Sequence, residues 1–372
     1  MLSLRIFERN TMLSLVSFII VLSILVIVHE FGHFIVAKRM GVRVEKFSIG
    51  FGPEIFGVTK SETRYAVSII PLGGFVKLAG ETNAEGVKGE KWEYVSRTVG
   101  ERVKIIFAGP LLNYILAFLI FSFVFMAGNP TLTTKIGKVM PGYPAQASGL
   151  REGDRILSIN GQNVIYWEDV TKIVHGSRNL EMKLLVNRAG ESVYLLVTPK
   201  FQETKTIFGS KKNISIMGIA PSEEVVYVKY GFVKSIYMGA EKLWSLTYIT
   251  YRALWASITG AIPVKESMTG PIGIFYITGQ AAKLGIVYLL QLMGVLSASL
   301  AIFNLLPVPV LDGGHILFLL IEKIRRKPIS YKMQDNITQV GMALLVVLML
   351  FVFYNDFMRF GIFEKLFHLW RK

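Results

Sequence analysis

The chain has 372 residues, a formal net charge of +15 and no cysteine. Its hydrophobic fraction is 52% and its mean hydropathy +0.47, while charged residues still make up 18%. These values exclude disordered, collagen-like and coiled-coil chains, and the lack of cysteine excludes disulfides, thiolate metal sites and cysteine nucleophiles. Apolar and polar residues are segregated along the chain, which is the mark of a membrane protein with a substantial polar part. The basic balance points to anionic lipid headgroups rather than nucleic acid, because no basic stripe is interleaved with aromatics in the polar regions.

Four apolar runs are long enough for roughly 30 Å of hydrocarbon, the fourth barely. They are Met12–Val28 (continuing past one polar pair to Ala37), Val103–Ala127, Ile286–Val310 and Val340–Tyr354. The first follows Arg5 and Arg9 as a signal peptide would, but it leads straight into His29 and Glu30 with no small-residue cleavage site, so it reads as a retained span. After it, Val42–Ile49 and Tyr65–Ile70 read as strands, with turn signals at Gly50–Pro53 and Pro71–Gly74. This stretch predicts a β-hairpin dipping into the membrane face. Beyond the second run, Ile136–Val139, Arg155–Ile159, Glu181–Asn187 and Ser192–Thr198 alternate like strands. Asn160-Gly161 is a hairpin turn signal and Glu168–Val174 a short helix. Tyr230–Ile262 is aromatic-rich and interrupted by Lys234, Glu241, Lys242 and Arg252. It is either a fifth span or an amphipathic helix lying in the interface.

The expected fold is a multi-pass α-helical membrane protein with four transmembrane helices, a membrane-associated β-hairpin and a small inserted β-rich domain. Its divisions fall at 1–127, 128–221, 222–285 and 286–372. Short-loop charge orients it. Lys323, Arg325, Arg326, Lys327 and Lys332 follow the third run and mark that side as cytoplasmic, whereas Arg5, Arg9 and the basic tail after Tyr354 count mildly against this.

Within the first span, His29-Glu30-Phe31-Gly32-His33 is an H-E-x-x-H. On a helix both imidazoles share one face and can grip one metal, with the glutamate as general base. The five-residue pattern alone arises by chance, but ionisable groups inside a span are functional candidates by default. A catalytic zinc takes a third protein ligand and an open position. Asp312 is the comparable acid near another span, in Asn304-Leu305-Leu306-Pro307-Val308-Pro309-Val310-Leu311-Asp312-Gly313-Gly314-His315. Its prolines and glycines must distort the helix there. If only the four runs span, His33 and Asp312 lie on the same side and can meet; a fifth span at Leu243–Ile262 would separate them. The pairing therefore argues for the interfacial helix.

Together, H-E-F-G-H in the first span, N-L-L-P-V-P-V-L-D-G-G-H after the third and the polar insert between them resemble the site-2 protease family of intramembrane zinc metalloproteases, of the bacterial RseP type. G-F-G-P (50–53), P-L-G-G-F-V-K (71–77), A-G-P-L-L-N (108–113) and T-G-P-I-G-I (269–274) extend the resemblance over nearly the whole chain. It implies a Zn2+ cofactor held by His29, His33 and Asp312, with Glu30 activating water. Asn304 would hold substrate or stabilise the oxyanion, and Gly73 and Gly74 would lie in the stretch that receives an extended substrate. Gly109–Asn113 would pack the second span against the site, and His315 is a neighbouring candidate. The insert resembles one PDZ domain, on Pro144–Asp154 and Asn160-Gly161. The implied activity is hydrolysis of single-span membrane proteins, such as anti-sigma factors or remnant signal peptides. The implied location is the bacterial cytoplasmic (inner) membrane, with the insert outside and the site near the cytoplasmic face. Two alternatives are a catalytically inactive peptide-binding scaffold, which the intact Glu30 disfavours, and a metal transporter, which the few polar residues of Met12–Val28 disfavour.

Overall fold

The computed structural model describes residues 2–81, 87–205, 211–263 and 269–360; the basic tail expected after Tyr354 lies mostly outside them. The chain divides into two compact units. One comprises 1–123, 236–251 and 264–372, and the other 124–235 and 252–263.

The first unit opens with α1, Leu2–Arg39, which carries the H-E-x-x-H in its last turns. It is followed by two long strands, β1 (Val44–Lys60) and β2 (Thr63–Leu78). Neither of the expected turns reverses the chain. Gly50 and Gly52 have φ of 91° and 85° and Gly73 has φ of 146°, so the strands bend there and continue; the reversal is at Ser61, with φ of 55°. The bends let one stretch pair on both edges: Phe47 pairs with Tyr65 and Val76, Ser48 with Ala66 and Phe75, and Ile49 with Val67 and Gly74. Ile55, Phe56, Val58, Ile69 and Ile70 are exposed at the far end of this sheet. Helix α2, Val99–Ala127, follows a 3-10 turn at Tyr94–Ser96.

The second unit begins with β3 (Asn129–Leu132) and β4 (Ile136–Val139), the latter as expected from sequence. A short α3 (Pro144–Ala147), β5 (Arg155–Ile159), β6 (Gln162–Asn163) and α4 (Trp167–Gly176) follow. Asn160 and Gly161, with φ of 52° and 81°, form the turn between β5 and β6 that the dipeptide predicts. Strands β7 (Met182–Arg188) and β8 (Glu191–Val197) complete a sheet of order β6-β5-β7-β8. Its inner face and α4 enclose Ile136, Ile156, Ile159, Val170, Val174, Leu184 and Val186. Then come β9 (Lys200–Lys205), β10 (Lys211–Ile216), β11 (Ile219–Pro221) and β12 (Val225–Val228). Strand β11 pairs with β4, and β12 with β3, so the module closes on itself between 129 and 228.

Helix α5 spans Phe232–Ile258. Its 236–251 stretch belongs to the first unit and runs antiparallel along α2. Gly239 faces Ser122, Leu243 packs with Ala117 and Phe121, and the Tyr114 hydroxyl lies 2.8 Å from that of Thr247. Helices α6 (Pro271–Leu284), α7 (Ile286–Asn304), α8 (Asp312–Arg325) and α9 (Tyr331–Arg359) complete the chain. Asp312 is therefore not the end of the third span, because the chain breaks at Leu305–Leu311 and Asp312 opens a new helix. Among the described residues, four helices are long and apolar enough to cross a membrane: Thr11–Arg39, Val99–Ala127, Ile286–Asn304 and Lys332–Arg359. Near the end of the last one sits a fully buried acid that the sequence reading passed over. Asp356 accepts the backbone N–H groups of Gly270 at 3.2 Å and Gly273 at 2.9 Å, and so supplies the cap that α6 lacks from its own residues.

In the second unit Asp154 is 1% exposed and takes bonds from Arg188 Nε and Nη2, both at 2.8 Å, and from the Arg151 N–H at 2.9 Å. Burial pushes its carboxyl upward, but Arg188 and the backbone donor outweigh that and hold it below the usual carboxylate range. A lowered folded-state pKa contributes stability that is present above the unfolded value of about 3.9 and is lost as pH falls through the folded one. Expressed as residues 129–228, Asp154→Ala should lose about 1.5–3 kcal/mol at pH 7 by urea unfolding, because the charge-assisted bonds from Arg188 are lost. The loss should shrink at acid pH, and an equal loss at pH 7 and pH 3 would contradict the assignment.

Candidate metal centre

The centre is set by a close crossing of α1 and α2. A Cβ on Gly32 would run into the Ala108 carbonyl, and one on Gly109 into the His33 ring, so the two backbones touch at these glycines. The approach brings His33 Nδ1 to 2.9 Å from the Ile105 carbonyl oxygen. That oxygen only accepts, so Nδ1 carries the proton and Nε2 keeps its lone pair. One turn earlier on the same face, His29 Nε2 lies 3.2 Å from His33 Nε2.

The third group arrives from the broken helix. Leu306, Val308 and Leu311 donate backbone bonds to Phe303, Leu306 and Val308, which curl 305–311 into a tight loop. Gly313 and Gly314 lie so close to the carbonyls of this loop that neither has room for a Cβ. The loop delivers Asp312 at the first turn of α8, where the helix dipole favours an anion. Asp312 Oδ2 is 3.2 Å from His29 Nε2, and Oδ1 is 3.7 Å from His33 Nε2. Ligand atoms of all three residues lie within 4.8 Å of one another.

The residues fit zinc. Tetrahedral bonds of roughly 2.05 Å place neighbouring ligand atoms about 3.3 Å apart, which the separations of 3.2, 3.2 and 3.7 Å approach. Asp312 Oδ2 is buried with no hydrogen-bond partner, a position that a cation would satisfy.

The other expected residues are distributed around this point. Glu30 lines the same cavity, of about 380 Å³, with Val76 of β2 beside it. A Cβ on Gly74 would stand 3.5 Å from Glu30 Cγ and 2.7 Å from the Ser48 carbonyl, so Gly74 lets the sheet lie against the turn that carries Glu30. Gly73 instead packs under Phe51. Asn304 ends α7 with its carboxamide nitrogen 3.3 Å from His29 Nε2. His315 also lines the cavity. Its polar wall was not marked in the sequence: Glu81, Tyr94 and the ion pair of Arg102 with Glu322, whose side chains are 12% and 15% exposed. The one sequence signal for that pair was its opposite charges beside two apolar runs.

The sequence profile described as peptidase family M50 matches residues 17–348. The chain belongs to peptidase family M50. A putative zinc metalloprotease of Agrobacterium fabrum, Atu1380, is 36% identical over 92% of this chain and 95% of its own length. The regulator of sigma-E protease RseP of Escherichia coli is 32% identical over 93% and 98%. The zinc metalloprotease RasP of Geobacillus kaustophilus is 31% identical over 94% and 99%. A solved PDZ domain of an SdrC-like protein from Listeria innocua covers 25% of this chain at 19% identity, with a TM-score of 0.20. This M50 member is a metalloendopeptidase of membranes, and its cofactor is zinc.

The purified protein should carry about one zinc per chain by elemental analysis. His29→Ala and Asp312→Ala should each lose most of it, and full retention by Asp312→Ala would remove Asp312 from the ligand set. Gly109→Ala should also weaken zinc binding, since its Cβ displaces the His33 ring.

Proposed function

We propose that the chain is an intramembrane zinc protease that cuts single-span membrane proteins in or next to their transmembrane segments. The supporting observation is that His29 and His33, with the Glu30 carboxylate between them, sit in a helix of membrane-spanning length and are met there by Asp312 from the start of α8. On this reading those three residues hold the zinc, which when bound supplies a Lewis acid to polarise the scissile carbonyl. Glu30 takes the proton of the attacking water and returns it to the leaving amine. Asn304, on the metal side of His29, orients the peptide carbonyl.

A transmembrane substrate hides its peptide groups in its own helix, so it must be held extended to be cut. Phe75, Val76 and Leu78 of β2 line the cavity that contains Glu30, and this stretch of the strand suits strand addition. Gly74 keeps the approach beside Glu30 free of a side chain, and Gly73 lets Phe51 pack against the strand. The exposed apolar end of the sheet suits contact with lipid.

The segment 128–221 reads as a PDZ-like domain outside the cytoplasmic membrane that filters substrates by their outer domains, with the zinc site near the cytoplasmic face. Anti-sigma-factor-like proteins and remnant signal peptides are the substrate classes of this reading. Segments 1–127 and 286–372 are its two membrane parts, and 222–285 joins the filter to them.

The decisive experiment is Glu30→Gln. It should keep zinc and the fold while turnover of a model single-span substrate falls about 10²–10⁴-fold, the usual contribution of a general base. Near-normal cleavage would sink the mechanism. Expressed in the source cell, the same variant should accumulate the short membrane fragments that are its substrates. For orientation, single cysteines introduced into the cysteine-free chain at Lys183 and Lys327 should differ. The first should react with an impermeant thiol reagent outside the cell and the second should not; the reverse pattern would invert the topology.

A further inference from the structure

The two histidines differ in what holds their outer nitrogen. His33 Nδ1 faces a backbone carbonyl, which fixes its tautomer. His29 Nδ1 faces the side chain of Asn113, with Asn113 Nδ2 at 3.4 Å. Asn113 is 0% exposed and sits in the middle of α2, where no solvent supplies an alternative partner. Its backbone is pinned as well: Ser297 Oγ, also 0% exposed, donates to the Asn113 carbonyl at 2.7 Å. The backbone that carries the carboxamide is therefore fixed by α7, and the side chain lies against His29.

Its orientation carries chemical information. With Nδ2 turned toward Nδ1, the imidazole must accept there and hold its proton on Nε2, the atom that faces His33 and Asp312. Such a ring has no lone pair for a metal. In the same orientation Asn113 Oδ1 is buried without any hydrogen-bond partner. A carboxamide is nearly symmetric in shape, so a half-turn about its last bond exchanges oxygen and nitrogen without disturbing the packing. After it, Oδ1 accepts from Nδ1–H, the orphaned oxygen gains a donor, and the Nε2 lone pair turns to the metal position.

We propose that Asn113 is a positioning residue of the metal centre, whose side-chain oxygen accepts the Nδ1–H of His29 and so commits Nε2 to the metal. This rests on the reading of His29 as a ligand. A group that orients a ligating histidine typically changes metal affinity 10–100-fold. What matters is an acceptor, so aspartate should serve and a leucine of similar shape should not.

The test measures the zinc dissociation constant of the purified full-length chain by competition with a chelator, for the parent, His29→Ala, Asn113→Leu and Asn113→Asp. The cobalt-substituted absorption spectrum serves as a second readout of ligand geometry. Asn113→Leu should bind zinc 10–100-fold more weakly and shift the cobalt bands, while the thermal midpoint of its metal-free form matches the parent. Asn113→Asp should bind zinc at least as tightly as the parent. Leucine binding within about threefold of the parent, or a folded aspartate variant weakened tenfold, would overturn the proposal. If the leucine variant does not fold, the aspartate variant decides alone. Zinc bound equally well by His29→Ala would instead overturn the ligand reading beneath it; loss there with normal binding by Asn113→Leu would overturn only the role of Asn113.

Discussion

The contact between α1 and α2 at Gly32, Ala108 and Gly109 sets the distance scale for everything around the centre. Without side chains at the two glycines the backbones meet, the His33 ring packs against Gly109, and its Nδ1 reaches a main-chain carbonyl of the neighbouring helix. A methyl group at either glycine forces the helices apart and takes that carbonyl out of reach. Close approach through small residues is a common way for helices to associate in lipid, where apolar side chains gain little by leaving it. Here the same approach also determines which nitrogen of a histidine faces the metal position. Pro110 belongs to this arrangement, since it cannot donate to the Ile106 carbonyl and interrupts the α2 ladder beside the carbonyl that His33 uses.

Polar groups at this depth are costly unless each has a partner, and the structure pairs them across helices. Arg102 of α2 meets Glu322 of α8, Ser297 of α7 meets the Asn113 carbonyl, and Asp356 of α9 caps α6. Each pair joins segments distant in sequence, so the polar residues fix the register of helices whose apolar surfaces alone would slide. Asp312 Oδ2 and Asn113 Oδ1 are among the few buried polar atoms without a hydrogen-bond partner. Both belong to the cluster around His29.

The spacing of charges and apolar residues was enough to read α1 and α2 and to single out His29 and His33, because ionisable groups inside a span are costly; Asp312, which the structure brings beside them, was marked by the prolines and glycines of its broken helix. Strands β4 and β5 and the Asn160-Gly161 turn were legible for a local reason, since alternation and positive φ are properties of a few neighbouring residues. Strands β9 and β10 were not. Lys-Phe-Gln-Glu-Thr-Lys and Lys-Lys-Asn-Ile-Ser-Ile carry no clean alternation and are held by pairing with each other. Gly50–Pro53 and Pro71–Gly74 carry the composition of turns, yet long-range pairing of 46–49 on both edges draws the chain straight through them. The cavity wall and the Asp356 cap were illegible in principle, because the partners are separated by 220 and 86 positions and nothing in a single sequence marks them as neighbours.

The break between α7 and α8 then shows why the site needs two unlike halves. A pair of histidines one turn apart on an unbroken helix presents two donors along a single face, and a third on that face would lie in line with them, short of a tetrahedral set. The third ligand has to come from another direction, with its backbone free to turn. The loop 305–311 provides this, and its own backbone hydrogen bonds make irregular chain tolerable inside the protein. Gly313 and Gly314 let α8 start directly against the loop, so the carboxylate is fixed by the helix that follows it. His29, His33 and Asp312 share one cavity with Glu30 and with Phe75, Val76 and Leu78 of β2.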